Sequence, residues 1–365
     1  MHEIFKNGIL ALIMGDKLEY PATQVFLKAL RRLGIDIASL ETSKINTSLV
    51  LQQVPRLCQR ILKGRHANLI IVPYMSHRIV PAAWWISRRV HARLWFLPLI
   101  SQYETAVYDR KTAKAKSIKA AKAFILDWYG CHFADLILFD TYEQLYYYKK
   151  HFGKIPKAAV VPIGVDDEIF MWNPIDKSKI VTSVLFYGGF SPLHGADVMV
   201  RAAALLPKEK FRFTFIGDGP EKSKCISLRD VLDVTNIRFL PNVPYVNLPR
   251  IIADHEIGLG VFGSVSKVNR VIPNKVLQTL SVGRPIITRN SDSLRTSFKG
   301  IKAIIMTHAN ASEIASAIQF LTENLFGKED LYLEASRYTR RVFGIDAIAQ
   351  NIRRLLEEDA GIMMV

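Results

Sequence analysis

Short apolar runs alternate with helix-patterned segments along the whole chain, and this alternation limits the possible folds more than any other feature. In the first half the runs fall at 9–14, 35–40, 68–73, 94–100, 136–141 and 160–164. In the second half they fall at 184–188, 212–217, 236–243, 256–263, 285–289 and 303–307. A strand that reaches a parallel neighbour through a helix builds a doubly wound sheet, and no strand-only insert interrupts either half. The expected architecture is therefore α/β, with two Rossmann-like doubly wound domains facing a cleft. A length of 365 residues suits two domains. The acidic stretch VDDEIF and the Trp-Asn-Pro linker after it divide the chain into 1–172 and 173–344, with a terminal helix in 345–365 packing back toward the first domain.

In the second half, three strand-to-helix turns are marked by glycine or by cations. The run VLFYGGFSPLHG brings Gly188 and Gly189 to the end of a strand, and FRFTFIGDGP does the same with Gly217 and Gly219. Glycine lets backbone approach a ligand at the carboxyl ends of the strands, where open α/β sheets bind nucleotides. The third turn, SVSKVNRVIPNK, opens a helix near Pro273 and Asn274 beside Lys267, Arg270 and Lys275. Free N–H groups at a helix start attract anions, and three cations strengthen the attraction. Together the turns point to a phosphate-bearing ligand.

The formal net charge of +16 calls for an acidic partner and is concentrated in the first half. No Asp or Glu occurs between Glu41 and Glu104, while Lys44, Arg56, Arg60, Arg88, Arg89 and Arg93 all lie there. A second basic run extends from Arg110 to Lys122. Mixed with Trp84, Trp85, Trp95 and Phe96, these cations fit an anionic membrane surface. No nucleic-acid-binding module accompanies them, so nucleic acid is not expected as a partner. No apolar run is long enough to span a bilayer, and 9–14 reads as the first strand and not as a signal peptide. Cys58, Cys131 and Cys225 are far apart and lack metal-ligand spacing, which indicates reduced thiols and no metal site. The expected location is cytoplasmic, peripheral at the inner membrane face.

Candidate ligand-contacting groups follow the strands of the first half. His77 and Arg78 come just after 68–73, and the loop SQYETAVYDR after 94–100 carries Glu104 and Asp109. Either carboxylate could bind a sugar hydroxyl or orient a base; alternatively, Asp109 and Arg110 simply cap and pair at the next helix.

At these residues the chain resembles glycosyltransferase family 4, whose members are retaining enzymes of GT-B fold. FYGGFSPLHG, FIGDGP and SKVNRVIPNKVLQTLSVGRPIIT match the family's three donor-site turns, most closely in a branch carrying PLHG and VIPNK. SQYETAVYDR, LILFDT and VVPIGVDDEIF extend the likeness over most of the chain. The resemblance implies transfer of a hexosyl unit from a nucleotide diphosphate sugar to a polysaccharide, oligosaccharide or lipid-linked acceptor, with no further cofactor. It places the diphosphate at Lys267, Arg270, Ile272, Pro273, Asn274 and Lys275, approached by Gly188, Gly189 and His194. It also places the ribose at Gln278 and the base beside Gly217 and Gly219.

The chain departs from the family pattern in two places. Gly189 or Phe190 and His194 stand where the family commonly has basic residues, and Arg270 and Gln278 stand where it has two glutamates. The departures leave a rival of a different class, a non-catalytic GT-B scaffold that binds an anionic polymer, a membrane or a partner enzyme.

Overall fold

The computed structural model describes residues 8–155, 157–176, 180–324 and 328–363. The chain divides into two compact units. The first runs through Gly164 and takes up the chain again at Phe343, and the second is Val165–Val342.

The first unit holds six parallel strands: β1 (Leu10–Gly15), β2 (Asp36–Glu41), β3 (Leu69–Val72), β4 (Arg93–Phe96), β5 (Leu136–Phe139) and β6 (Ala158–Val160). Their spatial order is β2-β1-β3-β4-β5-β6. Because β1 leads to β2 in one direction and every later connection runs in the other, right-handed crossovers put the helices on opposite faces. Pro21–Arg32 covers one face together with the C-terminal helix Ile345–Met363, against which it packs. Val50–Leu62, Val80–Arg89, Ile118–Phe133 and Tyr142–Phe152 form the other layer, each touching the next. The return of the C-terminal helix is close. A Cβ on Gly164 would lie 2.6 Å from Val25 and 2.9 Å from Ile348.

β3, β4 and β5 are covered on both faces, so their side chains are almost all buried. Trp95 and Phe96, expected among interfacial aromatics, therefore belong to the core, where each is 0% exposed. Trp84 and Trp85 do remain exposed. Ser117 and Thr141 cap the helices after them, accepting from the N–H groups of Ala120 and Gln144.

The second unit repeats the plan with β7 (Thr182–Tyr187), β8 (Phe211–Ile216), β9 (Ile237–Leu240), β10 (Ile257–Leu259), β11 (Ile286–Arg289) and β12 (Ile304–Thr307), all parallel in the order β12-β11-β10-β7-β8-β9. Strand order reverses at β7. The crevice beyond the ends of β7 and β10 is therefore the topological switch point, where such sheets hold ligands. The stretch entering this unit is held by buried Arg284, whose guanidinium donates to the carbonyls of Asn173 (2.5 Å), Pro174 (3.2 Å), Ala253 (2.6 Å) and His255 (2.8 Å). Trp172 lies against Gly283, where a Cβ would come within 2.1 Å of its ring. These contacts bind residues 172–174 to the second unit.

Candidate donor and acceptor sites

Two of the glycine turns in the second unit press against each other. A Cβ on Gly217 would lie 1.9 Å from the Gly188 carbonyl oxygen, and one on Gly219 would lie 1.7 Å from that of Gly189. Gly217 and Gly219 thus serve contact between loops. Gly189 is different: it is exposed, and a Cβ there would meet nothing nearer than 3.9 Å. Its backbone is open to a ligand.

Gly188 sits under two side chains. A Cβ on it would approach His194 Nε2 at 2.9 Å and Lys275 Nζ at 3.0 Å, so both groups converge above this one residue. The Ser191 N–H donates to His194 Nδ1 at 3.1 Å. A neutral ring bonded in this way carries its proton on Nε2 and presents a donor. Burial, then Lys275 and Lys267, hold the imidazole well below its usual range, which keeps it neutral.

Lys275 enters through the start of the helix Asn274–Val282, whose cap residue is Pro273. Its Nζ donates to the Gly260 carbonyl at 3.3 Å and lies 4.2 Å from the centre of the Phe186 ring. Burial holds the ammonium well below its usual range. Among the described residues no carboxylate lies within ion-pair distance of it, so an anion bound there would supply the missing counter-charge. Lys267 and Arg270 stand on the preceding turn, Ser266–Arg270, with Lys267 buried and Arg270 half-buried. Ile272 is buried in the stretch that leads to the helix.

Gln278 is one turn further along and is already engaged. Its Oε1 accepts from the Tyr187 hydroxyl at 2.9 Å, and its Nε2 donates to the Tyr245 hydroxyl at 3.3 Å. Nothing in the sequence signals this pairing, because the three residues are distant along the chain.

In the first unit, His77 and Glu104 are buried in one polar cluster beyond β3 and β4. Asp127 lies at its centre and is 0% exposed. Its carboxylate accepts from the Ser101 hydroxyl at 2.7 Å, the Gln102 N–H at 2.9 Å and the Tyr103 N–H at 2.9 Å. His77 Nε2 lies 3.3 Å from Asp127 Oδ1, and the Gln102 amide approaches His77 Nδ1 at 3.3 Å. Glu104, buried on the same turn, bonds through its N–H to Ser101 Oγ. Burial pushes the Asp127 carboxyl up to about 7 and the His77 imidazole down to about 3. Sequence reasoning did not reach Asp127, although a lone carboxylate within the apolar run FILDWYG was a usable signal.

Asp109 is buried at the end of a wide turn, Thr105–Asp109, in which the Arg110 N–H bonds five residues back to Thr105 O. Arg78 belongs to a separate network. It forks onto Asp16 at 2.7 and 2.5 Å and donates to the carbonyls of Thr42 and Ile45.

Residues 181–324 match the family model described as Glycosyl transferases group 1. A comparison with curated proteins gives no match. Among solved structures, the chain is similar to sucrose-phosphate synthase from Thermosynechococcus elongatus, with a TM-score of 0.73 at 13% identity over 96% of this chain and 98% of that one. It is also similar to Anabaena HepE in complex with UDP-glucose, with a TM-score of 0.71 at 13% identity over 96% and 100% of the two chains. For a glycosyltransferase from Rickettsia africae the TM-score is 0.68 at 11% identity, covering 96% and 98%. The two parallel six-stranded sheets with these likenesses make the fold GT-B.

Proposed function

We propose that the protein is a retaining hexosyltransferase that moves a sugar from a nucleotide diphosphate donor to a glycan or lipid-linked acceptor, in polysaccharide biosynthesis at the cytoplasmic face of the membrane. One observation carries the donor part of this reading. Lys275 Nζ and His194 Nε2 converge over Gly188 at the start of a helix, beside the open backbone of Gly189. A diphosphate seated there would meet an ammonium lacking a counter-ion, an imidazole N–H and free backbone N–H groups. As the bond from C1 to the diphosphate oxygen breaks, charge grows on the leaving group, and fixed donors that tighten on it lower the barrier. Lys267 and Arg270 add positive charge from the preceding turn. The match of residues 181–324 to the group 1 model and the UDP-glucose bound to HepE support the same reading.

The proposed acceptor side is the first unit, with Glu104 facing acceptor or sugar and with Asp109 and His77 as weaker candidates. What supports this is the gathering of His77 and Glu104 around Asp127 beyond the carboxyl ends of β3 and β4. A second reading, a non-catalytic scaffold, is favoured by Arg270 and Gln278 at the glutamate positions of the resembled family, and by the engagement of Gln278 with two tyrosines.

The test is thermal stabilisation of the full chain by a panel of nucleoside diphosphates and their sugars, repeated with Lys267→Ala, Arg270→Ala and Lys275→Met. Selective stabilisation by one nucleotide that the variants lose is expected, followed by sugar transfer or hydrolysis. If no nucleotide shifts the transition, the donor site is refuted. Nucleotide binding without any turnover would favour the scaffold.

A further inference from the structure

The helices Val50–Leu62, Val80–Arg89 and Ile118–Phe133 are far apart in sequence but lie side by side in the first unit. Their only carboxylate, Asp127, points inward and is 0% exposed. Arg56, Arg60, Arg89, Lys119 and Lys122 are exposed, and Arg88, also exposed, pairs with Asp135 at 2.6 Å. Large apolar side chains are exposed on the same helices, including Trp84, Trp85, Trp128, Ile118 (77%) and Leu51 (65%). The Arg89 guanidinium lies 4.4 Å from the centre of the Trp85 ring. Solvated surface helices carry both signs of charge and few indoles, whereas these three helices show water one sign of charge together with three tryptophans.

We propose that this three-helix face docks on an anionic phospholipid bilayer. Indoles settle at the headgroup level, and cations beside them pair with lipid phosphates. A cavity of about 540 Å³ adjoins the last of the three helices, lined by Tyr103, Tyr108, Phe124, Ile125 and Phe152 together with Lys116 and His151. Its size and aromatic walls suit an acyl chain of a docked lipid. Among the described residues no helix is long and apolar enough to cross a membrane. The proposal rests on the membrane-face part of the function proposed above and is independent of the donor chemistry in the second unit.

The experiment is sedimentation of the full chain with phosphatidylcholine vesicles, with and without phosphatidylglycerol, at low and high salt. Binding only to the anionic vesicles is expected, with release by salt and a blue shift of indole emission. Each exposed cation removed from the set Arg56→Ser, Arg60→Ser, Lys119→Ser and Lys122→Ser is expected to weaken partitioning about fivefold. Replacing all three, Trp84→Ser, Trp85→Ser and Trp128→Ser, is expected to abolish the blue shift. Several results would overturn the proposal: no anionic-vesicle binding, variants that bind as the wild type does, single-stranded RNA bound in place of vesicles, or self-association through this face. Nucleotide-induced thermal stabilisation is read in parallel on every variant. It is expected to persist in all of them, and its absence from the wild type would count against the donor site alone.

Discussion

Glycines at matching places in two turns do different work, and only their neighbours tell them apart. Gly217 and Gly219 allow one loop to lie on the carbonyls of Gly188 and Gly189, whereas Gly189 itself faces open space. A methyl group at Gly217 or Gly219 would collide with backbone, which has little room to yield. Gly219→Ala is therefore expected to cost roughly 2–4 kcal/mol of stability, as overpacking and backbone strain do. Gly189→Ala is expected to leave the melting temperature almost unchanged and to weaken nucleotide affinity about tenfold or more, because its Cβ would stand in the ligand's path. Differential scanning fluorimetry beside isothermal titration checks both. Equal effects of the two variants would mean that Gly189 is structural as well. At this scale the sequence identified cations and glycines by type, but it could not say which glycine was needed for packing.

Elements bring together groups whose chemistry then changes. Free of the fold, the histidine protonates near 6.5 and the aspartate near 3.8; folded, burial moves His77 to about 3 and Asp127 to about 7. Between pH about 4 and about 6.5 the pair holds one proton in either state, on histidine when unfolded and on aspartate when folded, so it adds no slope to stability. Asp127→Asn removes this compensation. His77 then binds a proton only in the unfolded chain until pH nears 3, and stability is lost as pH falls through that window by about 1.4 kcal/mol per pH unit relative to wild type. Urea unfolding at a series of pH values measures the difference, and parallel curves for the two proteins would refute the assignment. Arg284 is the counterpart in the second unit. Burial lowers its guanidinium to about 10, and its partners are backbone carbonyls brought together from two stretches of chain. Arg284→Met leaves those carbonyls without their donor and is expected to cost about 3–5 kcal/mol in chemical denaturation. A loss below about 1 kcal/mol would show that water replaces it. Nothing in the sequence singles out Arg284, since its partners lie up to 111 positions away.

For the whole molecule, the return of the chain to the first unit is a distinct source of stability. Ile348, Ile352 and Leu356 are buried on the C-terminal helix, which packs on Pro21–Arg32. Deleting residues 345–365 uncovers that face, so hydrogen exchange is expected to rise in β1 and in the helix Pro21–Arg32 while β7 and β8 keep their protection. Uniform loosening of both units would show that the helix supports the entire chain. The alternation of buried runs with amphipathic segments was sufficient to specify two doubly wound parallel sheets, because a strand covered on both faces must be apolar throughout and its crossover has one hand. The cation-bearing helix start at Lys275 was also legible, since a helix N-terminus and its neighbours are local in sequence. Tertiary structure alone decided the convergence of His194 with Lys275, the burial of Asp127 beside His77 and the gathering of three distant helices into one cationic, indole-bearing face. Each of these depends on which strands are neighbours. Strand order is set by the packing of whole layers, and no local pattern of residues encodes it.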